Sequence, residues 1–452
     1  MTMARRIGLL LLLLSGAISI LWGRALGQAF PGGPVDFQAV YYGSRTLIQH
    51  HNPYVVSEVG GVYRAEGGER GPRPDALRRQ RCVTLYVNLP PTLLLVAPFA
   101  MLPLGVAQTL WMSLTGGVLI LAGFLMWDLG ADHAPILSIC LVGFLLANCQ
   151  ILFGSGNTAG IVVGLCVVAA WCFLRERFVP AGILCMAVSL AIKPHDAGLV
   201  WLFFLLAGAL YRKRALQTLA VTAVLVLPAV LWVSHVAPHW IQDWRSNMSA
   251  ISAPGGLNDP RPASVVGMTA GSVISLQAVF SIFRGDPQFY NLASYLVCGA
   301  LLLVWLVTIL RSRLSQERLW LALAAVVPLT ILVTYHRVYD AKLLLLTVPA
   351  CAMLWAGGGA IGWIALAFNA AGFALNGDIP LTVIGELTEK LHLSTATLPG
   401  QILTVVVARP NQEILLAMSV FYLWVYVRRV FALSPRLQER SHKQERLAPD
   451  IA

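Results

Sequence analysis

Apolar runs long enough to cross a hydrocarbon core follow one another along almost the whole chain, separated by short polar segments. A helix crossing a hydrocarbon layer of roughly 30 Å needs about 20 apolar residues, and only helices or closed barrels satisfy every backbone group there. The runs are too long and too evenly apolar for the alternating strands of a barrel. An all-α polytopic membrane protein is therefore expected. Charged residues make up only 12% of the 452, and the mean hydropathy is +0.72, which excludes a soluble globular protein.

The runs fall at about 7–22, 106–127, 134–152, 157–174, 178–192, 197–211, 215–236, 290–310, 318–334, 341–357, 359–375 and 412–430. They predict a bundle of about 12 transmembrane helices in one domain over 1–430, followed by a basic tail over 431–452. The first run, behind Arg5 and Arg6, reads either as a signal peptide or as an uncleaved span; the many spans that follow favour the span.

Two segments are ambiguous. Leu89 to Leu104 is broken by Pro90, Pro91, Pro98 and Pro103, and Ser264 to Phe283 is rich in Gly and Ser. If neither spans, Arg175/Arg177, Arg212/Lys213/Arg214, Arg311/Arg313/Arg318 and Arg428/Arg429 all fall on the cytoplasmic side, as the positive-inside rule requires. Both termini are then cytoplasmic, and the loops 27–105, 237–289 and 376–411 lie on the outer face of the cytoplasmic membrane. The net charge of +11 thus reads as a topology signal, with no nucleic-acid partner, and the tail's Arg436, Arg440, Lys443 and Arg446 suit the anionic cytoplasmic leaflet.

This topology gathers polar residues at the outer helix ends. Asp36 begins a segment in which Phe37, Val40, Tyr41, Ser44, Leu47 and Ile48 recur at helical spacing, an amphipathic helix on the membrane surface. Its carboxylate could accept a proton from a hydroxyl there, or merely cap the helix. His50-His51-Asn52-Pro53 reads as a turn. Lys193, in Lys193-Pro194-His195-Asp196, suits an anion such as phosphate, or a local pair with Asp196.

Tyr335-His336-Arg337-Val338-Tyr339-Asp340 combines a guanidinium fork with groups able to orient or share a proton. Asn157 among Gly154, Gly156 and Gly160 reads as a tight hairpin or a site residue. The eight cysteines form neither a disulfide framework nor a zinc pattern, no linear motif calls for a metal or cofactor, and Asn247-Met248-Ser249 matches a glycosylation sequon.

In this order, Asp36, Tyr41-Tyr42, Asn52-Pro53-Tyr54, Leu89-Pro90-Pro91, Leu190-Ala191-Ile192-Lys193-Pro194 and Tyr335-His336-Arg337-Val338-Tyr339-Asp340 resemble the family 87 glycosyltransferases of the GT-C superfamily. The resemblance implies a GT-C-like bundle with juxtamembrane helices over the outer face. It implies transfer of a sugar, typically mannose, from a polyprenyl-phosphate donor to a lipid or glycan hydroxyl. Asp36 would act as general base with His336 or Asp340 as partner. Lys193 and Arg337 would hold the departing phosphate, and His195, Tyr339, Asp340 and Asn157 would position the substrates. The segment here reads His-Arg-Val-Tyr-Asp where many relatives carry Trp-Asp-His or paired histidines.

Rival readings are a transporter or lipid-linked-sugar flippase, a lipid-diphosphate-dependent glycan ligase, and a non-catalytic scaffold. A transporter should place Asp36 or Lys193 along a path through the bundle, whereas a transferase needs them together at one membrane interface.

Overall fold

The computed structural model describes residues 3–29, 34–68, 74–262, 273–312, 315–391 and 396–431; the basic tail beyond Phe431 and Arg313 lie outside them. Among the described residues the fold is helical except for one two-residue ladder, in which Val273–Ile274 pairs antiparallel with His336–Arg337. Among the described residues six helices are long and apolar enough to cross a membrane, Leu104–Gly130, Pro135–Ser155, Ala209–Val236, Pro287–Arg311, Gln316–Val333 and Asn411–Phe431, or seven if the bent pair Gly359–Leu375 and Asp378–Leu387 forms one span. Shorter apolar helices fill the bundle, among them Ala159–Leu174, Val179–Ile192 and Pro194–Leu206.

The environment of each helix follows from its letters. Gln316–Val333 is central, with every residue from Leu319 to Leu332 buried, and it packs most extensively on Asn411–Phe431. Trp305 Nε1 donates to the Ala322 carbonyl and Ser419 Oγ to that of Ala325, so these polar atoms enter the core already paired. Ala209–Val236 is the opposite case: Leu216, Leu219, Val224, Leu227 and Leu231 are exposed, a face that suits lipid rather than water. The first helix, Met3–Ala29, packs against Leu104–Gly130, Pro135–Leu146 and Gln150–Ser155, with Leu12 fully buried.

Leu89 to Leu104 holds no helix long enough to cross a membrane. Pro90 and Pro91 start the helix Pro90–Ala100, whose 11 residues reach only about 16 Å. It lies instead under Val35–Ile48 in a second, aromatic core. Phe37, Val40, Tyr41 and Leu47 of the expected apolar face are buried there beside Tyr54, Tyr63, Tyr86, Leu93 and Trp111. The described part of the other ambiguous segment holds only the ladder strand and the five-residue helix Leu276–Phe280.

Residues 376–411, expected as an outer loop, are largely helical where described. The chain bends by 68° after Gly359–Leu375 and forms the helices Asp378–Leu391 and Leu398–Ala408. Ile379, Val383, Leu387, Ile402 and Val406 are exposed, so this hairpin carries an apolar surface of its own. The sequon asparagine is also spoken for: Asn247 is buried, and its amide donates to the carbonyls of Tyr54 and Tyr86 at 2.9 Å each.

Arg175, Arg214 and Arg429 lie at one end of the bundle. Arg175 meets Asp128 and Asp132, Arg214 reaches the Phe173 carbonyl and Glu176, and Arg429 pairs with Glu317. Arg175 follows the helix Ala159–Leu174, and Lys193 sits at the far end of the next helix, Val179–Ile192, so Lys193 and its neighbours occupy the other end of the bundle.

Candidate active site

The N-terminus of Val35–Ile48 supplies the first group. Its N-cap position is Pro34, and no side chain caps the helix, so the Asp36 carboxylate is not engaged in capping. Asp36 Oδ2 instead accepts a 2.8 Å hydrogen bond from Asn157 Nδ2. Asn157 Oδ1 accepts from the Ala159 backbone N–H at 2.9 Å, so the amide is held from both sides and its orientation is defined.

Gly156 makes this approach feasible. Its φ of 66° is left-handed, and a Cβ there would stand 2.7 Å from Phe37 Cβ. Its carbonyl accepts from Trp111 Nε1, which ties the turn to the aromatic core.

The second group comes from the break between Val179–Ile192 and Pro194–Leu206, where Pro194 ends one helix and starts the next with Lys193 as the shared cap. Lys193 is buried, and its Nζ lies 2.7 Å from Asp340 Oδ1, 3.7 Å from Asp196 Oδ2 and 5.3 Å from the Tyr339 ring centre. Burial works against its charge, but Asp340 and Asp196 outweigh it and raise the ammonium above its ordinary value.

The third group follows Gln316–Val333. The ladder with Val273–Ile274 holds His336 and Arg337 extended, and a 3-10 helix then runs from Asp340 to Thr347. Asp340 Oδ2 accepts from the Arg337 backbone N–H at 2.8 Å, closing the turn. The Arg337 guanidinium donates to the Tyr335 hydroxyl and to the Leu257 carbonyl, and the Asp36 carboxylate lies close enough to act on both Arg337 and Tyr339.

Two residues on, buried Lys342 donates to the carbonyls of Asn148 and Asn376 at 2.6 and 2.9 Å, anchoring the 3-10 helix to the bends before Gln150–Ser155 and Asp378–Leu391.

His336 is buried, and its contacts run to Asp196 rather than to Asp36. Its Nδ1 donates to the Thr334 carbonyl at 2.9 Å, and its Nε2 lies 3.1 Å from Asp196 Oδ1. His195 Nε2 approaches the same oxygen at 3.6 Å, with the ring at the exposed edge of the cluster. Burial would raise the Asp196 carboxyl, but Lys193 and the adjoining histidines outweigh it and hold it well below the usual carboxylate range. Burial likewise opposes charge on His336, and Asp196 reverses this, raising the imidazole above its ordinary value.

The residues expected from the sequence thus occupy one end of the bundle in two adjoining sets. Asp36, Asn157, Arg337 and Tyr339 form one, and Lys193, Asp340, Asp196, His336 and His195 the other. Asp196 is the residue that sequence reasoning undervalued. Its spacing from Lys193 announced a local ion pair, but nothing local announced His336, 140 positions away.

The chain matches the family model of glycosyltransferase family 87 over residues 86–335, more than half of its length. It belongs to glycosyltransferase family 87. No curated protein and no solved structure matches it. The family 87 match begins at Tyr86 and ends at Tyr335. Asn157, Lys193, His195 and Asp196 therefore lie inside it, while Asp36 and the run from His336 to Asp340 reach the same site from outside. As a family 87 enzyme the protein is a membrane glycosyltransferase, moving a sugar from a donor to an acceptor.

Proposed function

We propose that this glycosyltransferase takes a hexose, mannose by preference, from a polyprenyl-phosphate donor and passes it to a hydroxyl of a lipid or glycan acceptor. The reaction is placed at the outer face of the cytoplasmic membrane, with both chain termini inside, which agrees with the basic residues gathered at the opposite end of the bundle.

One observation carries the reading: a carboxylate held by Asn157 lies within electrostatic reach of Arg337 and Tyr339, and the buried ammonium of Lys193 stands 5.3 Å from the same Tyr339 ring. A base and phosphate-binding cations at one membrane interface are what transfer from a lipid phosphate requires. Asp36 removes the proton from the acceptor hydroxyl as its oxygen attacks the anomeric carbon. The bond from that carbon to the phosphate oxygen breaks, and the lipid phosphate leaves with its new charge facing Lys193 and Arg337. A single displacement inverts the anomeric configuration. Asn157 orients the base, and His195, Tyr339 and Asp340 line the approach.

The test is transfer of labelled mannose from synthetic polyprenyl-phosphate mannose to extracted envelope lipids by purified protein, with Asp36→Asn beside wild type. Product from wild type alone supports both the donor and the base. Product only with another polyprenyl-phosphate sugar changes the hexose, and activity in a folded Asp36→Asn protein removes the base assignment.

A further inference from the structure

We propose that His195, Asp196 and His336 form a binding site for one divalent transition-metal ion. One ligand atom from each lies within 4.8 Å of those of the other two. His336 Nε2 and His195 Nε2 stand 3.1 and 3.6 Å from Asp196 Oδ1. Ligands about 2.1 Å from a tetrahedral ion are themselves about 3.4 Å apart, so modest adjustment completes the site. Two imidazoles and a carboxylate suit zinc or manganese and leave a position for water or substrate on the exposed His195 side.

The hydrogen bonds favour a cation. The Thr334 carbonyl can only accept, so His336 Nδ1 carries a proton, and Nε2, 3.1 Å from Asp196 Oδ1, faces the carboxylate with either a second proton or a lone pair that an ion would take. That nitrogen and both Asp196 oxygens are buried and have no aligned hydrogen-bond partner among the described residues. Acceptors left facing one another in a buried site are costly unless positive charge lies between them. A proton on Nε2 would serve the His336–Asp196 contact alone and leave His195 aimed at the same oxygen to no purpose.

Lys193 does not occupy this position. It bonds Asp340 and faces the other Asp196 oxygen, so two carboxylates share one ammonium and retain negative charge for an ion. The site is read from three side chains and stands whichever sugar is transferred.

The test is direct binding to the intact protein in nanodiscs with no donor present. Chelator-treated wild type is titrated with Co²⁺, read by its visible d–d absorption, and then with Zn²⁺ in competition. We expect one ion per chain, with the absorption of nitrogen and oxygen ligation lost on adding Zn²⁺. His195→Gln, at the exposed edge, keeps the wild-type melting temperature and weakens binding more than about tenfold, and Asp196→Asn removes it. Failure of folded wild type to bind either ion at micromolar concentration overturns the site and leaves a protonated His336 in the gap. Wild-type affinity in both variants overturns it equally. Because no sugar is involved, neither result bears on the choice of donor.

Discussion

Asp36 and Asn157, 121 positions apart, are joined by a 2.8 Å hydrogen bond between the start of a surface helix and a glycine-supported turn. The carboxylate is thereby tied to the turn at Asn157, within electrostatic reach of Arg337 and Tyr339. If Asp36 is the base, Asp36→Asn lowers turnover by about 10²-fold or more with an unchanged melting temperature. Asn157→Ala leaves the base present but loosely aimed, and a loss of about tenfold in kcat is expected with little change in donor KM. Steady-state kinetics on both variants checks the pair.

Gly156 is the second test. With φ at 66° and Phe37 Cβ in the way, Gly156→Ala must strain the turn or push the surface helix aside, at a cost of about 1–3 kcal/mol. Gly117→Ala, where an added Cβ meets nothing within 4 Å, is the control and leaves stability unchanged or slightly raised. Thermal unfolding in detergent together with transfer rates should show Gly156→Ala losing both and Gly117→Ala neither.

The Lys193–Asp340 pair is buried on both sides. Lys193→Met alone strands two carboxylates and is expected to destabilise by about 3–5 kcal/mol. Lys193→Met with Asp340→Leu removes both charges of the close pair and should regain part of that loss. If Lys193 holds the departing phosphate, transfer is lost in both variants. A melting series separates the structural from the functional part.

The segment carrying Leu257, which accepts from Arg337, is tied down by Asp259, whose carboxylate takes bonds from the Arg261 guanidinium and from the backbone of Gly255 and Arg261. Burial would raise this carboxyl, but those donors outweigh it and lower it below the ordinary value. A lowered folded value means the native state binds fewer protons than the unfolded one. The contribution is therefore present above about pH 4, where the unfolded group is ionised, and is lost as pH falls through the folded value. Melting curves in acid should show wild type losing stability more steeply than Asp259→Asn, which starts lower at neutral pH.

The helical membrane architecture was legible because it rests on local composition: a run such as Gln316–Val333 is apolar on every side and has only one low-energy way to satisfy its backbone in lipid. Pro90 and Pro91 likewise announced a short helix within Leu89 to Leu104, and the spacing of Phe37, Val40, Tyr41 and Leu47 announced a buried face. The polar letters at helix ends pointed to Asp36, Lys193 and Arg337 because charge near lipid is costly and is kept for a purpose.

Pairing among those letters was decided only by tertiary structure. The placement of the helix Asp378–Leu391 depends on a 68° bend held partly by Lys342 at the Asn376 carbonyl, a contact that no local pattern encodes. Asn157 rather than His336 stands against Asp36, and His336 turns to Asp196, because a two-residue ladder with Val273–Ile274 sets its direction. Burial and charge neutralisation act over a few ångströms in space, and residues that meet at that range here are separated by 120 to 150 positions in the chain. Sequence therefore determined which polar groups stand at the helix ends, and packing alone determined which of them pair with one another.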